Sequence, residues 1–319
     1  MKHDKERFIS LQLNQLAPEV PLPADLYLFL NGHFIKYKLV GDIIPAAKYN
    51  EFFSKKVDFV FCLMDEIKLY DAWASKFIAM AKEEMVKNVG SQNAELVERR
   101  AAVSVELFKI FSGDVSDERS QKLQETTRLF IESINSKKSS QACLNKLMNY
   151  SPSIAEHSVN VATLSIYLCM HLGYAQQIIL ENVYMGSLLH DIGKTRINSD
   201  QFEKSDDIEK AQIMKTHVEL GRIALSKANN LSSEVLKIVA EHHEHQDGTG
   251  YPKRLRGQRI YELTKIVSIA NVFDNYASSL KGTLKERQKY ALEQLAVDHN
   301  ERFDPKKLHK CLEVLRHGL

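Results

Sequence analysis

The chain has few cysteines and no excess of charge of either sign. Its 4 cysteines lie far apart and form no CxxC pair, which argues against a disulfide framework and against a thiolate zinc site. With 43 basic and 41 acidic residues the formal net charge is +2, so global charge gives no reason to expect binding to DNA or to an anionic membrane. Any affinity for phosphate must therefore come from a local group of basic residues. The cysteines are interpreted as core residues of a protein in a reducing compartment.

Long apolar runs are also missing. The opening segment MKHDKERFISLQLNQL lacks the continuous apolar stretch of a signal peptide, and no later segment approaches the roughly 18 uninterrupted apolar residues of a membrane span. Internal repeats and low-complexity tracts are absent. At 319 residues, 44% of them hydrophobic, the chain is long enough for two domains with cores of their own. The sequence predicts a cytoplasmic protein with no membrane segment.

The first part of the chain has the pattern of strands. Residues 26–39 are rich in aromatic and β-branched side chains around Asn31-Gly32, a strong short signal for a tight hairpin. Residues 57–63, VDFVFCL, have the composition of a further strand. We therefore expect a small mixed domain at the start of the chain.

Helical apolar spacing dominates the rest. AWASKFIAMAKEEMVKNV and AELVERRAAVSVELFKIF are typical of helices, and from about residue 120 onward nearly every segment is, including ACLNKLMNY at 142–150. The predicted fold class is α+β. It comprises a small mixed α/β accessory domain at 1–85, a helical linker at 86–135 and an all-α domain at 136–319.

Histidine clustering is the strongest chemical signal in the chain. The window from 157 to 245 holds seven of the twelve histidines. Within it, His190 directly precedes Asp191 in LLHDIGK, so a nitrogen ligand adjoins a carboxylate that can bridge two metal ions. His171 and His245 lack a matching context and are interpreted as ordinary surface or core histidines. The candidate ligands are His157, His190, Asp191, His217, His242 and His243.

This set of side chains suits hydrolysis of a phosphodiester. Two metal ions roughly 3.5 to 4 Å apart would share a hydroxide of lowered pKa and would clamp the phosphodiester oxygens for in-line attack. Asp191 is the candidate bridge. Lys194, about one helical turn further on, can place an ammonium beside a phosphate oxygen. The turn GTGYP at 248–252 can approach a ligand closely, and its Tyr251 offers a ring and a hydroxyl.

Taken in order, these motifs resemble the HD-GYP family, a branch of the HD metal-dependent phosphohydrolases associated with hydrolysis of cyclic di-GMP. The resemblance covers about 140–290 and rests on EHS, HDIGK, THVELG, EHHEHQDGTGYP and IANVFD. It implies an all-helical HD core, two or three divalent metal ions, often iron or manganese, and opening of the cyclic dinucleotide to a linear dinucleotide or to GMP. It makes Lys194 a phosphate contact and places Gly250, Tyr251 and Pro252 in the wall of the site.

Two departures from the family concern the metals. The family has an aspartate ligand in the IANVFD segment where this chain has Asn271, whose amide oxygen can ligate a metal but brings no negative charge. Asp274, about one turn on, keeps a family position and can compensate or contact the substrate or the ligands. Members with three metals have a glutamate where this chain has Ser153, while Glu156 points elsewhere on a helix. We therefore expect at most two metal ions.

A third departure concerns the substrate. Family members continue into an Arg-Pro-Tyr-Arg segment whose arginines contact phosphate, and Leu280 and Thr283 occupy those positions here. Lys281 and Lys285 keep some positive charge nearby, but lysine lacks the bidentate fork of arginine, and the alternative for both is a solvated helix start.

Three functions therefore stay open, and hydrolysis of a different phosphorylated substrate is the third of them. The first is a di-metal phosphodiesterase acting on cyclic di-GMP or a related cyclic dinucleotide. The second is a weakened or inactive member that serves as a nucleotide receptor or a protein-interaction scaffold, which Asn271 and the missing arginines favour. The resemblance gives the N-terminal domain a sensory or partner-docking role, and a packing or homodimerising role is the alternative.

Overall fold

The computed structural model describes residues 7–13, 16, 18–30, 32–55, 57, 59–113, 115–136, 141, 143–148, 154–297 and 301–318. The fold is α+β, as predicted. A four-stranded antiparallel sheet lies near the start of the chain, and helices follow it to the end of the described residues. The strands are β1 Phe8–Gln12, β2 Leu26–Leu30, β3 His33–Lys38 and β4 Phe59–Leu63, in the order β1-β4-β2-β3.

The predicted hairpin is β2 and β3, which pair antiparallel with Leu30 opposite His33. Gly32 adopts a φ of 85°, the left-handed conformation that glycine accepts without a steric cost. Asn31 lies outside the described residues. The predicted strand at 57–63 is β4, whereas β1 has no counterpart among the sequence predictions.

Thirteen helices are described. They are α1 Ala46–Ser54, α2 Ile67–Val89, α3 Ala94–Phe111, α4 Asp117–Asn135, α5 Ile154–His171, α6 Gln177–Leu189, α7 Ser199–Lys204, α8 Asp207–Lys215, α9 His217–Leu225, α10 Ser233–Glu241, α11 Glu262–Ser279, α12 Leu284–Val297 and α13 Pro305–Gly318. Helices α3 and α4 pack against each other and against α5 and α6 respectively. The proposed boundary at residue 85 lies inside α2, and the division into domains stays a prediction.

The helix expected at ACLNKLMNY is wrong for the described part of that segment. A four-residue 3-10 turn, Leu144–Leu147, takes its place, and Met148 has extended backbone that stops any helix from continuing. Leu144, Leu147 and Met148 are all buried. Their spacing also fits a helix face, and tertiary packing rather than periodicity decides the backbone here.

The sheet packs against the part of the helical region that carries the candidate site. Phe59 and Phe61 of β4 form a small aromatic cluster with Ile197 and Phe202, and the Phe59 and Phe202 rings are 5.3 Å apart edge to face. Met214 packs against the same cluster. Burial of these rings therefore ties the first part of the chain to the segment between Lys194 and His217.

None of the described helices is both long and apolar enough to cross a membrane. All four cysteines are buried with free thiols, in agreement with the prediction that they are core residues.

Candidate metal centre

The ends of four helices bring the candidate ligands together. His157 lies in the first turn of α5, and His190 and Asp191 follow the last residue of α6. His217 begins α9, and the doublet His242-His243 follows α10. Helix ends converge on one point because α5, α6, α9 and α10 pack around a common core, so residues far apart in sequence become neighbours.

Asp191 stands between two groups of histidines. Its Oδ1 atom is 3.3 Å from His217 Nε2 and 3.8 Å from His242 Nε2. Its Oδ2 atom is 3.3 Å from His190 Nε2 and 3.8 Å from His157 Nε2. The two carboxylate oxygens thus face different histidine pairs.

Main-chain and side-chain acceptors fix the orientation of these rings. The Nδ1 atoms of His190, His217 and His242 lie 2.7, 2.6 and 2.8 Å from the carbonyl oxygens of residues 187, 214 and 239, three residues earlier in each case. A carbonyl oxygen can only accept a hydrogen bond, so Nδ1 carries the proton in each neutral ring. Each Nε2 atom therefore presents a lone pair to Asp191.

The lone pairs of the histidine Nε2 atoms and of the Asp191 oxygens are buried and point at one another. They repel each other unless a cation lies between them. His217 Nε2 and His242 Nε2 are 3.2 Å apart, and both rings are buried. His190 Nε2 and Asp191 Oδ1 are buried and have no hydrogen-bond partner. Ligand atoms of Asp191, His217, His242 and His243 lie within 4.8 Å of one another, as do those of His157, His190 and Asp191. The residues present therefore fit metal ions, and two groups share one carboxylate.

The protonation states also suit metal binding, which needs neutral imidazole and ionised carboxylate. Burial lowers the pKa of His190, and it lowers the pKa values of His242 and His243 well below their usual range with help from neighbouring histidines. Burial opposes ionisation of the Asp191 carboxyl, but His190 and Lys194 outweigh it and hold the pKa of Asp191 well below its usual range.

Lys194 lies beside the carboxylate at the centre of the cluster. The short 3-10 turn Ile192–Arg196 follows Asp191, and Lys194 Nζ donates to Asp191 Oδ2 at 2.5 Å. The ammonium is partly exposed while the carboxylate is buried. Lys194 therefore has a charged end close to the candidate metal positions and open to a ligand.

A glycine allows this turn to pack directly on α9. A Cβ atom added to Gly193 would lie 1.8 Å from the carbonyl oxygen of His217, a separation that no side chain can take. The motif HDIGK therefore needs its glycine for close approach of two backbones, which brings His217 to Asp191.

The GTGYP loop folds back on the histidine doublet. Tyr251 N–H donates to the His243 carbonyl at 3.0 Å, and the Tyr251 ring stacks on His243 with centroids 4.6 Å apart. Gly250 is buried against the same backbone, and a Cβ there would lie 2.4 Å from His243 O. Pro252 follows, exposed, after a cis peptide bond. The loop thus borders the cluster at His243.

Glu244 holds that loop, and the sequence predictions did not include it. Its buried carboxylate accepts hydrogen bonds from the backbone N–H groups of Lys253 at 2.7 Å and Leu255 at 2.8 Å. The signal available in the sequence was its position directly after the doublet, before a loop rich in turn residues.

Two polar residues of α11 reach the region from the side of His157. Asp274 is buried, and its Oδ2 atom lies 2.7 Å from His157 Nδ1. Asn271 is also buried, and its side-chain oxygen accepts a hydrogen bond from Asn275 at 3.2 Å. The roles predicted for Asn271 as a ligand and for Asp274 as a substrate contact stay predictions. Ser153 lies outside the described residues.

A buried ion pair behind His157 also escaped the sequence predictions. Arg100 of α3 has a fully buried side chain and donates to Glu156 at 3.0 Å and to Asn160 at 2.9 Å. Glu156 therefore points away from the cluster, as predicted from its place next to His157. Helical spacing from Leu96 and Leu107 places Arg100 on the buried face of α3, but no motif marks its partners on another helix.

His171 and His245 belong to neither ligand group. His171 is exposed and its Nδ1 bonds the Tyr167 carbonyl, and His245 Nδ1 lies 3.0 Å from the Thr249 hydroxyl. This placement is consistent with their interpretation as ordinary histidines.

Part of the helical region is similar to a known protein family. Residues 154–276 match the HD domain family. Over 132 residues the chain is 36% identical to the 3'3'-cGAMP-specific phosphodiesterase 2 of Vibrio cholerae, covering 40% of this chain and 25% of that protein. Over 139 residues it is 32% identical to the cyclic di-GMP phosphodiesterase response regulator RpfG of Xanthomonas campestris, covering 43% and 36%.

The fold is also found in a solved structure, Bd1817, a HDG"Y"P protein from Bdellovibrio bacteriovorus. The two structures align with a TM-score of 0.59 at 22% identity, over 97% of this chain and 99% of that one. This likeness shows the shared fold. The chain spans only about a quarter to a third of the length of the two curated relatives above.

Proposed function

We propose that this chain hydrolyses a cyclic dinucleotide, cyclic di-GMP or a close relative, at a two-metal centre. Residues 154–276 match the HD domain family, and the chain is similar to proteins named as phosphodiesterases of cyclic dinucleotides, which supports the proposal. The observation that carries the proposal is the position of Asp191, whose two oxygens face two separate groups of histidine lone pairs. A carboxylate so placed is suited to bridging two ions, and paired ions are a common device for phosphodiester hydrolysis.

Each group of ligands would hold one ion. His157, His190 and Asp191 Oδ2 form one set, while Asp191 Oδ1 joins the set that is completed by His217, His242 and His243. All these ligand atoms are nitrogen or carboxylate oxygen, which favours iron or manganese over a soft metal. Bound ions would activate a water and neutralise the phosphodiester oxygens.

The chain's own residues orient both partners of the reaction. Lys194 donates to Asp191 and extends a partly exposed ammonium, so it can also donate to a phosphate oxygen of the substrate. Gly250, Tyr251 and Pro252 would form one wall, held against His243 by stacking and by the Glu244 hydrogen bonds. Asp274 fixes the ring of His157, so that its Nε2 atom faces Asp191.

A second function is favoured by two departures from the family. Asn271 brings an amide where a carboxylate ligand is expected, and Leu280 and Thr283 stand where arginines are expected. Weaker binding of the metal ions or of the substrate would make the chain a receptor for the nucleotide, or an interaction scaffold, rather than an efficient enzyme.

The first part of the chain is proposed to transmit an input to the site. Its aromatic cluster contacts Ile197, Phe202 and Met214, which flank the segments of Lys194 and His217. We retain the division into 1–85, 86–135 and 136–319, a protein partner or homodimer contact at the first domain, and a reducing cytoplasmic setting consistent with four free thiols.

Turnover of cyclic dinucleotides tests the proposed function. Purified protein is reconstituted anaerobically with iron, and separately with manganese, then incubated with cyclic di-GMP or 3'3'-cGAMP, and products are separated by chromatography. Linear dinucleotide or mononucleotide should appear with wild type and not with Asp191→Ala. Tight binding of the nucleotide without any turnover, with either metal, would support the receptor function in its place.

A further inference from the structure

A symmetric cyclic dinucleotide carries two phosphodiester groups, and the metal centre engages the one that is cleaved. The second phosphate needs positive charge elsewhere. The positions of the family's arginines do not supply it here. Thr283 donates hydrogen bonds from its backbone N–H and its hydroxyl to the Glu286 carboxylate, at 2.8 and 2.9 Å. The start of α12 therefore has a negative charge at this position. Leu280 is apolar.

A positively charged side chain, that of Lys215, lies close to Tyr251 instead. Lys215 is the last residue of α8, and its Nζ atom lies 5.7 Å from the centroid of the Tyr251 ring. Its side chain is exposed. The Tyr251 ring stacks on His243, so it lies between Lys215 and the candidate metal ligand His243.

A second cation, Arg302, is distant in sequence but lies beside the loop that carries Tyr251. It precedes α13, and its backbone carbonyl accepts a hydrogen bond from Gln246 N–H at 2.9 Å, which joins this segment to the loop after the histidine doublet. The side chain is half-buried, with the guanidinium carbon 5.6 Å from the buried ring of Phe303.

We infer that Arg302 and Lys215 form an anion subsite beside Tyr251 that binds the phosphate of the cyclic dinucleotide which is not being cleaved. The inference rests on the proposed function and adds a site for the second half of the substrate. Lys194 would then bind the phosphate that is cleaved at the metal centre. Arg302 and Lys215 would bind the other phosphate.

The chemistry of the subsite follows from its members. Arg302 has a planar fork that matches two phosphate oxygens, whereas the exposed Lys215 contributes a movable point charge. Charge-assisted hydrogen bonds of this kind are each worth about ten-fold or more in affinity. Binding at a non-reacting group lowers KM while leaving the chemical step unchanged, provided that ground state and transition state share the contact.

Two substrates distinguish the subsite from the metal centre. Bis(p-nitrophenyl) phosphate has one phosphodiester and requires only the metals, while cyclic di-GMP has two. We expect Arg302→Gln to raise KM for cyclic di-GMP about ten-fold and to leave kcat/KM for the small substrate unchanged. Lys215→Gln should act in the same direction, and Arg302→Lys should keep part of the affinity.

Arg316→Gln, which removes the same charge from an exposed position near the end of α13, is the matched control and should change neither substrate. Metal content and thermal unfolding are compared across all variants, and Lys215→Gln removes only an exposed side chain. An unchanged KM for cyclic di-GMP in Arg302→Gln and Lys215→Gln, or an equal loss on both substrates, overturns the subsite while the proposed function stands. Wild type that cleaves only the small substrate overturns both.

Discussion

The imidazole of His157 is bound by the buried carboxylate of Asp274, with 2.7 Å between His157 Nδ1 and Asp274 Oδ2. The two residues are 117 positions apart and belong to α5 and α11. Because this contact occupies Nδ1, the Nε2 atom of His157 is directed to Asp191 Oδ2 at 3.8 Å. A carboxylate thus gives His157 the same orientation that backbone carbonyls give the other histidines.

Asp274→Asn should loosen the metal on the His157 side. An amide oxygen still accepts the Nδ1 hydrogen, but it no longer supports the ring with a negative charge, and removing such partners typically costs about 10 to 100-fold in metal affinity. Competition with a chelator, followed by metal analysis, measures the change. Ser278→Ala is the matched control, since Ser278 makes only a 3.5 Å contact to the same carboxylate. Equal chelator resistance in wild type and Asp274→Asn would show that Asp274 does not support a ligand.

Asn271→Asp should increase metal retention. The buried amide of Asn271 brings no charge, and a carboxylate at this place would add one beside the metal cluster. Dialysis followed by metal analysis should recover more metal per chain than from wild type. Asn135→Asp, the same change at an exposed position at the end of α4, should leave metal content as it is. If the two variants behave alike, position 271 is not a ligand position.

Arg100→Ala should destabilise the protein without touching a ligand. Removing it leaves Glu156 as a buried unpaired charge, and breaking one partner of a buried pair typically costs about 3 to 5 kcal/mol. Denaturant unfolding monitored by circular dichroism gives the free energy. Arg99→Ala is the control, because Arg99 is half exposed and its contact with Glu95 is 3.6 Å, a surface pair worth about 0 to 1 kcal/mol. Similar losses in both variants would contradict the structural role of Arg100.

Glu244→Ala should free the loop that carries Tyr251. Two backbone N–H groups lose their acceptor, so the chain around Lys253 and Leu255 should open more often. Trypsin can cleave after Lys253, Arg254 and Arg256, and the rate of cleavage there reports the opening. We expect faster cleavage in this loop with metal content unchanged. Cleavage at the wild-type rate would mean that stacking of Tyr251 on His243 suffices to hold the loop.

The α+β class, the hairpin and the convergence of the histidines could be predicted from the sequence, because apolar periodicity and motif order encode them locally. The orientation of each ring could not. It depends on carbonyl oxygens three residues earlier for three of the five rings, on Asp274 for His157 and on the stacked ring of Tyr251 for His243. Those contacts exist only once helix ends are placed.

Other features depend on tertiary packing alone. The residues Leu144, Leu147 and Met148 have helical spacing but form a short turn against the core. Helical spacing from Leu96 and Leu107 places Arg100 on the buried face of α3. Its partners Glu156 and Asn160 lie on another helix, and local sequence does not reveal them. The place of Arg302 beside the Tyr251 loop likewise follows from the path of the chain before α13, and no motif marks it.

Anomalous diffraction from crystals of iron-loaded protein shows whether Asp191 bridges two metal ions. We expect two iron peaks roughly 3.5 to 4 Å apart, one beside each oxygen of Asp191, the first near His157 and His190 and the second near His217 and His242. A single peak, or two peaks that Asp191 does not join, would contradict the bridging role of Asp191.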